Sequence, residues 1–148
     1  MHTKEVENIE QNTQCVAVSI CLLSKDNKDF NLDEITNRIE LKPTFARKWS
    51  EFPKGSIEAN VAVTHWNLEI RENNCNDISI PLEKIYDLLS NKIDVIGTLC
   101  DDLNLEIDFT IVIHAKYDDL PLIQIPKQFI SFIALINAEI GMDFYFYH

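Results

Sequence analysis

Glycine, proline and positive charge are the scarce things in this sequence. Three glycines and five prolines in 148 residues exclude a flexible linker or a low-complexity tract. Gly55, Gly97 and Gly141 stand apart from one another, so no glycine-rich loop is available to cradle a phosphate. Lys and Arg number 13 against 24 Asp and Glu, a net charge of −11. A surface this acidic repels phosphate backbones, which argues against nucleic acid and favours encounter with a basic protein. The same charge also serves plain solubility.

The four cysteines form no C-x-x-C pair, and no histidine stands at zinc-finger spacing from them. Cys15 and Cys21 fall in one expected strand, where six residues put them roughly 20 Å apart, beyond disulfide reach. The thiols read as small buried hydrophobes in a reducing cytoplasm. No G-x-S-x-G elbow is present. The polar start, MHTKEVENIEQNTQ, lacks the apolar core of a signal peptide, and no apolar run approaches the length of a membrane span. The expectation is one domain over residues 14–148 behind a loose tail, residues 1–13, with no metal and no cofactor.

What is there alternates between strand and helix. Cys15 to Leu23 is apolar on both faces and β-branched, which predicts a central strand covered on both sides. Asn31 and Glu34 resemble a capping box ahead of the stripe Leu32, Ile35 and Ile39, with Lys42-Pro43 as the stop. Thr44 to Asn60 has no clean period and reads as an ordered loop, with room for a short strand. Val61 to Ile70 alternates, with Ala62, Thr64, Trp66, Leu68 and Ile70 on its apolar face. Ser79 and Pro81 open a helix carrying Leu82, Ile85, Leu89, Ile93 and Ile96, closed by Gly97. Leu103 to His114 is a strand with one dry and one wetter face. Pro126 begins a last helix that Gly141 ends, and Met142 to Tyr147 is an aromatic closing strand.

The predicted class is α+β. Two β-α-β modules pair in a ferredoxin-like arrangement, an antiparallel or mixed sheet of four to five strands with an additional middle helix. The closing strand could be a dimerising edge or a central strand, so monomer and homodimer both stand.

The segments Asp33-Glu34-Ile35-Thr36, Leu41-Lys42-Pro43-Thr44, Lys54-Gly55 and Thr64-His65-Trp66, in that order, resemble a bacterial domain-of-unknown-function family, number 4279. The likeness runs from about Cys15 to Tyr147. Glu40 stands where glycine is commoner in that family. The resemblance implies a bacterial cytoplasmic protein with no assigned reaction, and it transfers no catalytic residue.

The candidate binding residues are Arg47, Lys48, Trp49, Lys54 and His65. Cations mixed with Phe45, Trp49 and Phe52 on one loop suit a carboxylate, a phosphate or an acidic peptide. They equally suit a loop pinned to the core by its aromatics, with the cations snorkelling outward. His65, Glu69 and His114 would make a metal set only if their strands bring them together. Asp101-Asp102 and Asp118-Asp119 read as turn residues. The functional expectation is a non-enzymatic protein-binding domain of the toxin-neutralising, immunity-like kind. The alternatives are a small-anion or peptide sensor using the Thr44–Gly55 loop and, behind both, an enzyme of unrecognised type.

Overall fold

The computed structural model describes residues 14–26 and 29–147. The expected tail, residues 1–13, and the terminal histidines His2 and His148 lie outside the described residues.

Strand β1 (Cys15–Ser24) lies at the middle of a five-stranded sheet of order β2-β3-β1-β4-β5. It pairs antiparallel with β3 (His65–Asn73) on one side and with β4 (Leu105–Lys116) on the other. The short β2 (Phe45–Arg47) pairs antiparallel with β3, and β5 (Glu139–Tyr147) pairs parallel with β4. Because strand side chains alternate, Val16, Val18, Ile20 and Leu22 share one face with Trp66, Leu68, Ile107, Phe109, Ile111 and Ile113. That face is the core.

Four helices cover it: α1 (Leu32–Ile39), α3 (Ser79–Leu89), α4 (Ile93–Leu103) and α5 (Lys127–Leu135). The one-turn helix α2 (Lys54–Glu58) buries no residue and sits at the rim. Each covering helix contributes an apolar stripe, for example Leu82, Ile85 and Leu89 from α3 and Ile96 and Leu99 from α4. The centre is aromatic. Phe109 meets Phe129 edge-on at 5.5 Å and Phe132 at 6.1 Å, and Tyr86 of α3 meets Phe132 at 5.8 Å. Trp66 is fully buried, and its indole N–H donates to Thr36 Oγ1 of α1 at 3.0 Å.

The α+β class with a mixed five-stranded sheet is therefore borne out, but the ferredoxin-like interleaving is not adopted. That arrangement splits each β-α-β module by a strand of the other. Here β1 and β3 are adjacent and antiparallel, and β4 and β5 are adjacent and parallel. Only β4-α5-β5 is a true crossover unit. β1 is central as expected, yet among the described residues no helix covers its second face, Cys15, Ala17, Ser19, Cys21 and Leu23. Cys15 and Ala17 are buried there, and Ser19, Cys21 and Leu23 are half-buried.

The helix boundaries also correct the sequence reading. The stripe expected to run from Leu82 to Ile96 belongs to two helices, broken at Ser90–Lys92, and Gly97 lies inside α4. Leu89 and Ile93 keep a four-residue spacing across the break, so periodicity alone does not register it. Gly141 lies within β5, and α5 stops six residues earlier. The positions with left-handed backbone are Glu40, Asn60, Asn74, Asn104 and Asn137, and no glycine is among them. Asparagine takes the turn and cap work usually given to glycine.

Glu40 is the exception in that set. It caps α1 at φ 63° and ψ 34°, donating its N–H to Thr36 O at 2.9 Å. A Cβ is disfavoured at such a position, and a carboxylate at a helix C-terminus opposes the helix dipole. Glu40→Gly is expected to stabilise the fold by about 1 kcal/mol after the added entropy of the unfolded glycine is subtracted, read as a higher urea midpoint.

Candidate functional site

The unexpected feature of the molecule is the bare side of its sheet. One corner of that side is built from β2, β3 and the turn Trp49–Glu51. Antiparallel register sets Arg47 directly opposite His65, and Phe45 opposite Asn67. His65 lies between two rings, 5.3 Å from Phe45 and 6.0 Å from Phe52 by centroid. The Arg47 guanidinium stands 4.5 Å above the Phe52 ring and donates to Glu51 O at 3.4 Å. His65 Nδ1 faces the Val63 carbonyl at 2.9 Å, and a carbonyl only accepts, so Nδ1 carries the proton and donates. Nε2 is then the ring atom left for a ligand. The corner is an aromatic and cationic cup with Phe45 more than half exposed at its lip.

Of the five expected site residues, Arg47 and His65 come together. Lys48 and Trp49 flank them along the chain: the Trp49 N–H donates to Thr64 Oγ1 at 2.8 Å, and the Lys48 charge acts on Asp29. Lys54 stands apart on α2, its ammonium in solvent 3.8 Å from Glu58. The loop is pinned, but by polar groups more than by Trp49.

The pin is Asp29, which lies outside every element and motif read from the sequence. Its carboxylate accepts from Ser50 Oγ at 2.5 Å, from Ser50 N at 3.3 Å and from Thr64 Oγ1 at 2.9 Å. These hydrogen bonds, the Ser50 hydroxyl foremost, hold its pKa below the usual carboxylate value. No local signal could have revealed this, because the partners lie far along the chain.

Farther across the bare side the sheet is acidic. Glu106 and Asp108 of β4 and Glu139 and Asp143 of β5 point to it, and the register places Asp108 beside Glu139. None of the four joins an ion pair among the described residues. Burial, and then the Glu139 charge, raise the Asp108 pKa above its ordinary value. Asp108 also raises the pKa of Cys21, behind burial as the larger cause, to about 12. Burial likewise raises Cys15, and Cys100 to about 11. These thiols stay protonated at neutral pH and are poor nucleophiles.

His65 and His114 do not converge. His65 pairs with Leu23 at one end of β1, while His114 pairs with Cys15 at the other. His114 instead stacks on Tyr145 at 5.0 Å and 15°. Near that end a depression of about 370 Å³ is lined by Lys116, Tyr117, Asp118 and Tyr147. Among the described residues no group of three or more His, Cys, Asp or Glu is placed to hold a metal, and no helix is long and apolar enough to cross a membrane. Asp101 and Asp102, expected at a turn, lie in the last turn of α4, where Asp102 accepts from Arg38 at 3.0 Å.

A family model described as Domain of unknown function (DUF4279) matches residues 13–147. No curated protein and no solved structure matches the chain.

The Asp29 pin has a pH signature. A carboxylate whose folded-state pKa is depressed adds stability above its unfolded pKa, and that stability is lost as pH falls through the folded value. Asp29→Asn is therefore expected to be less stable than the parent at neutral pH. The two urea-midpoint curves should converge in acid, below the ordinary carboxylate range.

Proposed function

This chain belongs to the domain-of-unknown-function family DUF4279, a membership that brings no reaction with it, and we propose that it is a bacterial cytoplasmic protein-binding domain of the toxin-neutralising, immunity-like kind. It receives a basic partner on the bare face of its sheet. The observation that carries this reading is the Asp108–Glu139 couple, two neighbouring carboxylates on that face that no cation pairs with among the described residues. Burial of Asp108, and then the Glu139 charge beside it, cost the free protein stability, and a cationic side chain from a partner offsets that cost. The net charge of −11 speeds the encounter.

The sign of the cost can be measured. A carboxylate with a raised folded-state pKa lowers stability above that pKa, and the loss is relieved as the folded state takes up the proton. Asp108→Asn is expected to raise the urea midpoint at neutral pH, with the gain vanishing in acid. The same substitution, and more so Asp108→Lys with Glu139→Lys, should weaken partner capture. The measurement is affinity capture from the source cell's lysate with parent and variants side by side. One stoichiometric basic protein, released by salt and by the variants, supports the reading. Equal capture by parent and variants, or none, sinks it.

A second reading rests on a different observation, the Arg47–His65 pair inside its aromatic cup. It makes the domain a sensor of a small anion or an acidic peptide. Phosphate or a dicarboxylate should then raise the melting temperature of the parent, and Arg47→Ala should abolish the rise. An equal rise in both would remove the Arg47 corner from consideration.

A further inference from the structure

The two edges of the sheet are unlike. β2 is three residues long and lies between lysines, with Pro43 just before it. Such an edge offers little to another strand. β5 is nine residues long and carries no lysine, arginine or proline. Among the described residues its outer backbone groups have no partner strand, since β5 ends the sheet order. Proteins blunt edges like this with charge, proline, bulges or a cover. Here Glu139 and Asp143 are the only charges, and both point to the bare face.

The other face of β5 is apolar and exposed. Ile140, Phe144 and Phe146 are 36%, 40% and 47% accessible, and Phe144 stacks on Phe146 at 5.9 Å and 24°. Tyr117 packs edge-on against Phe146 at 5.6 Å.

We propose that β5 pairs antiparallel with β5 of a second copy, on a two-fold axis at Phe144, to make a continuous ten-stranded sheet. Side-chain chemistry excludes the centre that would pair all nine residues, because an axis at Asp143 sets Asp143 against Asp143. Of its two neighbours, an axis at Phe144 brings the exposed aromatic side chains to the centre, setting Met142 opposite Phe146 and Asp143 opposite Tyr145 with no acid opposite an acid. The area is adequate. Side chains of this size expose about 150–250 Å² each when free. Roughly half of that remains open on Tyr117, Ile140, Phe144 and Phe146. The strip therefore supplies on the order of 400 Å² per copy, and the backbone and polar rim of the strand bring the contact toward the ~600–800 Å² per partner of stable interfaces. The contact is isologous and closed, so it stops at two copies.

The test is sedimentation equilibrium of the parent and of Phe144→Lys between ~1 and ~100 μM, at moderate salt so that the like charge of the copies is screened. The parent is expected to pass from monomer to dimer, and Phe144→Lys to dissociate at least tenfold more readily. Phe144 is already exposed, so the lysine variant should keep its circular dichroism, which is checked first. A second variant, Phe144→Cys, should form a covalent dimer on mild oxidation, while Ile140→Cys should not. A parent that stays monomeric throughout overturns the proposal, as does a dimer that Phe144→Lys leaves intact or that Phe144→Cys fails to cross-link.

Discussion

Strand β1 is the constraint on which the other elements depend. It is the only strand paired antiparallel on both sides with long partners, and every sheet position is counted outward from it. Four of its side chains, Val16, Val18, Ile20 and Leu22, are fully buried beneath the helices. Removing apolar side chains of this kind from water is the main driving term of the fold, about 1.5–3 kcal/mol for each. The opposite row of Cys15, Ala17, Ser19 and Cys21 is small, and of it Cys15 and Ala17 are buried. One strand thereby gives the molecule a packed side and a side that no described helix covers.

That division explains what could be read from the sequence. The alternation of β4, from Leu105 to Ala115, was legible because one row of side chains is buried in the core and the other is not. The N-cap at Asn31 was legible because a cap is local; its side chain accepts from Asp33 N at 3.0 Å. The failures share a cause. Apolar residues on both faces of β1 predict two covering layers, and composition does not reveal that one row is merely small. The break between α3 and α4 hides because each helix brings its own stripe in phase with the other. Glycine was taken as the stop signal, whereas Asn104 and Asn137 adopt the left-handed caps.

The candidate site was half legible for the same reason. Arg47 and His65 stand out as chemistry in a chain poor in cations, and pairing of β2 with β3 sets them on one rung. Lys54, only seven residues from Arg47, is lost to the cup because it opens α2 with its ammonium in solvent. Asp29 needed the tertiary structure, since Ser50 and Thr64 reach it from another part of the chain. The acid couple also needed it, because Asp108 and Glu139 meet only through the parallel crossover of β4 and β5. Rigid pinning at one corner and unrelieved charge across the rest are separate devices. The first fixes the shape of the cup, and the second sets which charge the face attracts.

The pairing of β1 with β4 has a consequence for how the chain is made. Ser24 pairs with Leu105, and Cys15 with His114. A ribosome adding roughly 5–20 residues per second leaves β1 with that flank open for about 5–20 s after it is synthesised. During that interval β1 and β3 can form a hairpin-like half-sheet whose most apolar strand is an edge. The nascent chain is then at its stickiest, and folding cannot be completed from the N-terminus forward. Closure waits for β4, and the parallel pairing of β4 with β5 across α5 is itself slow to form.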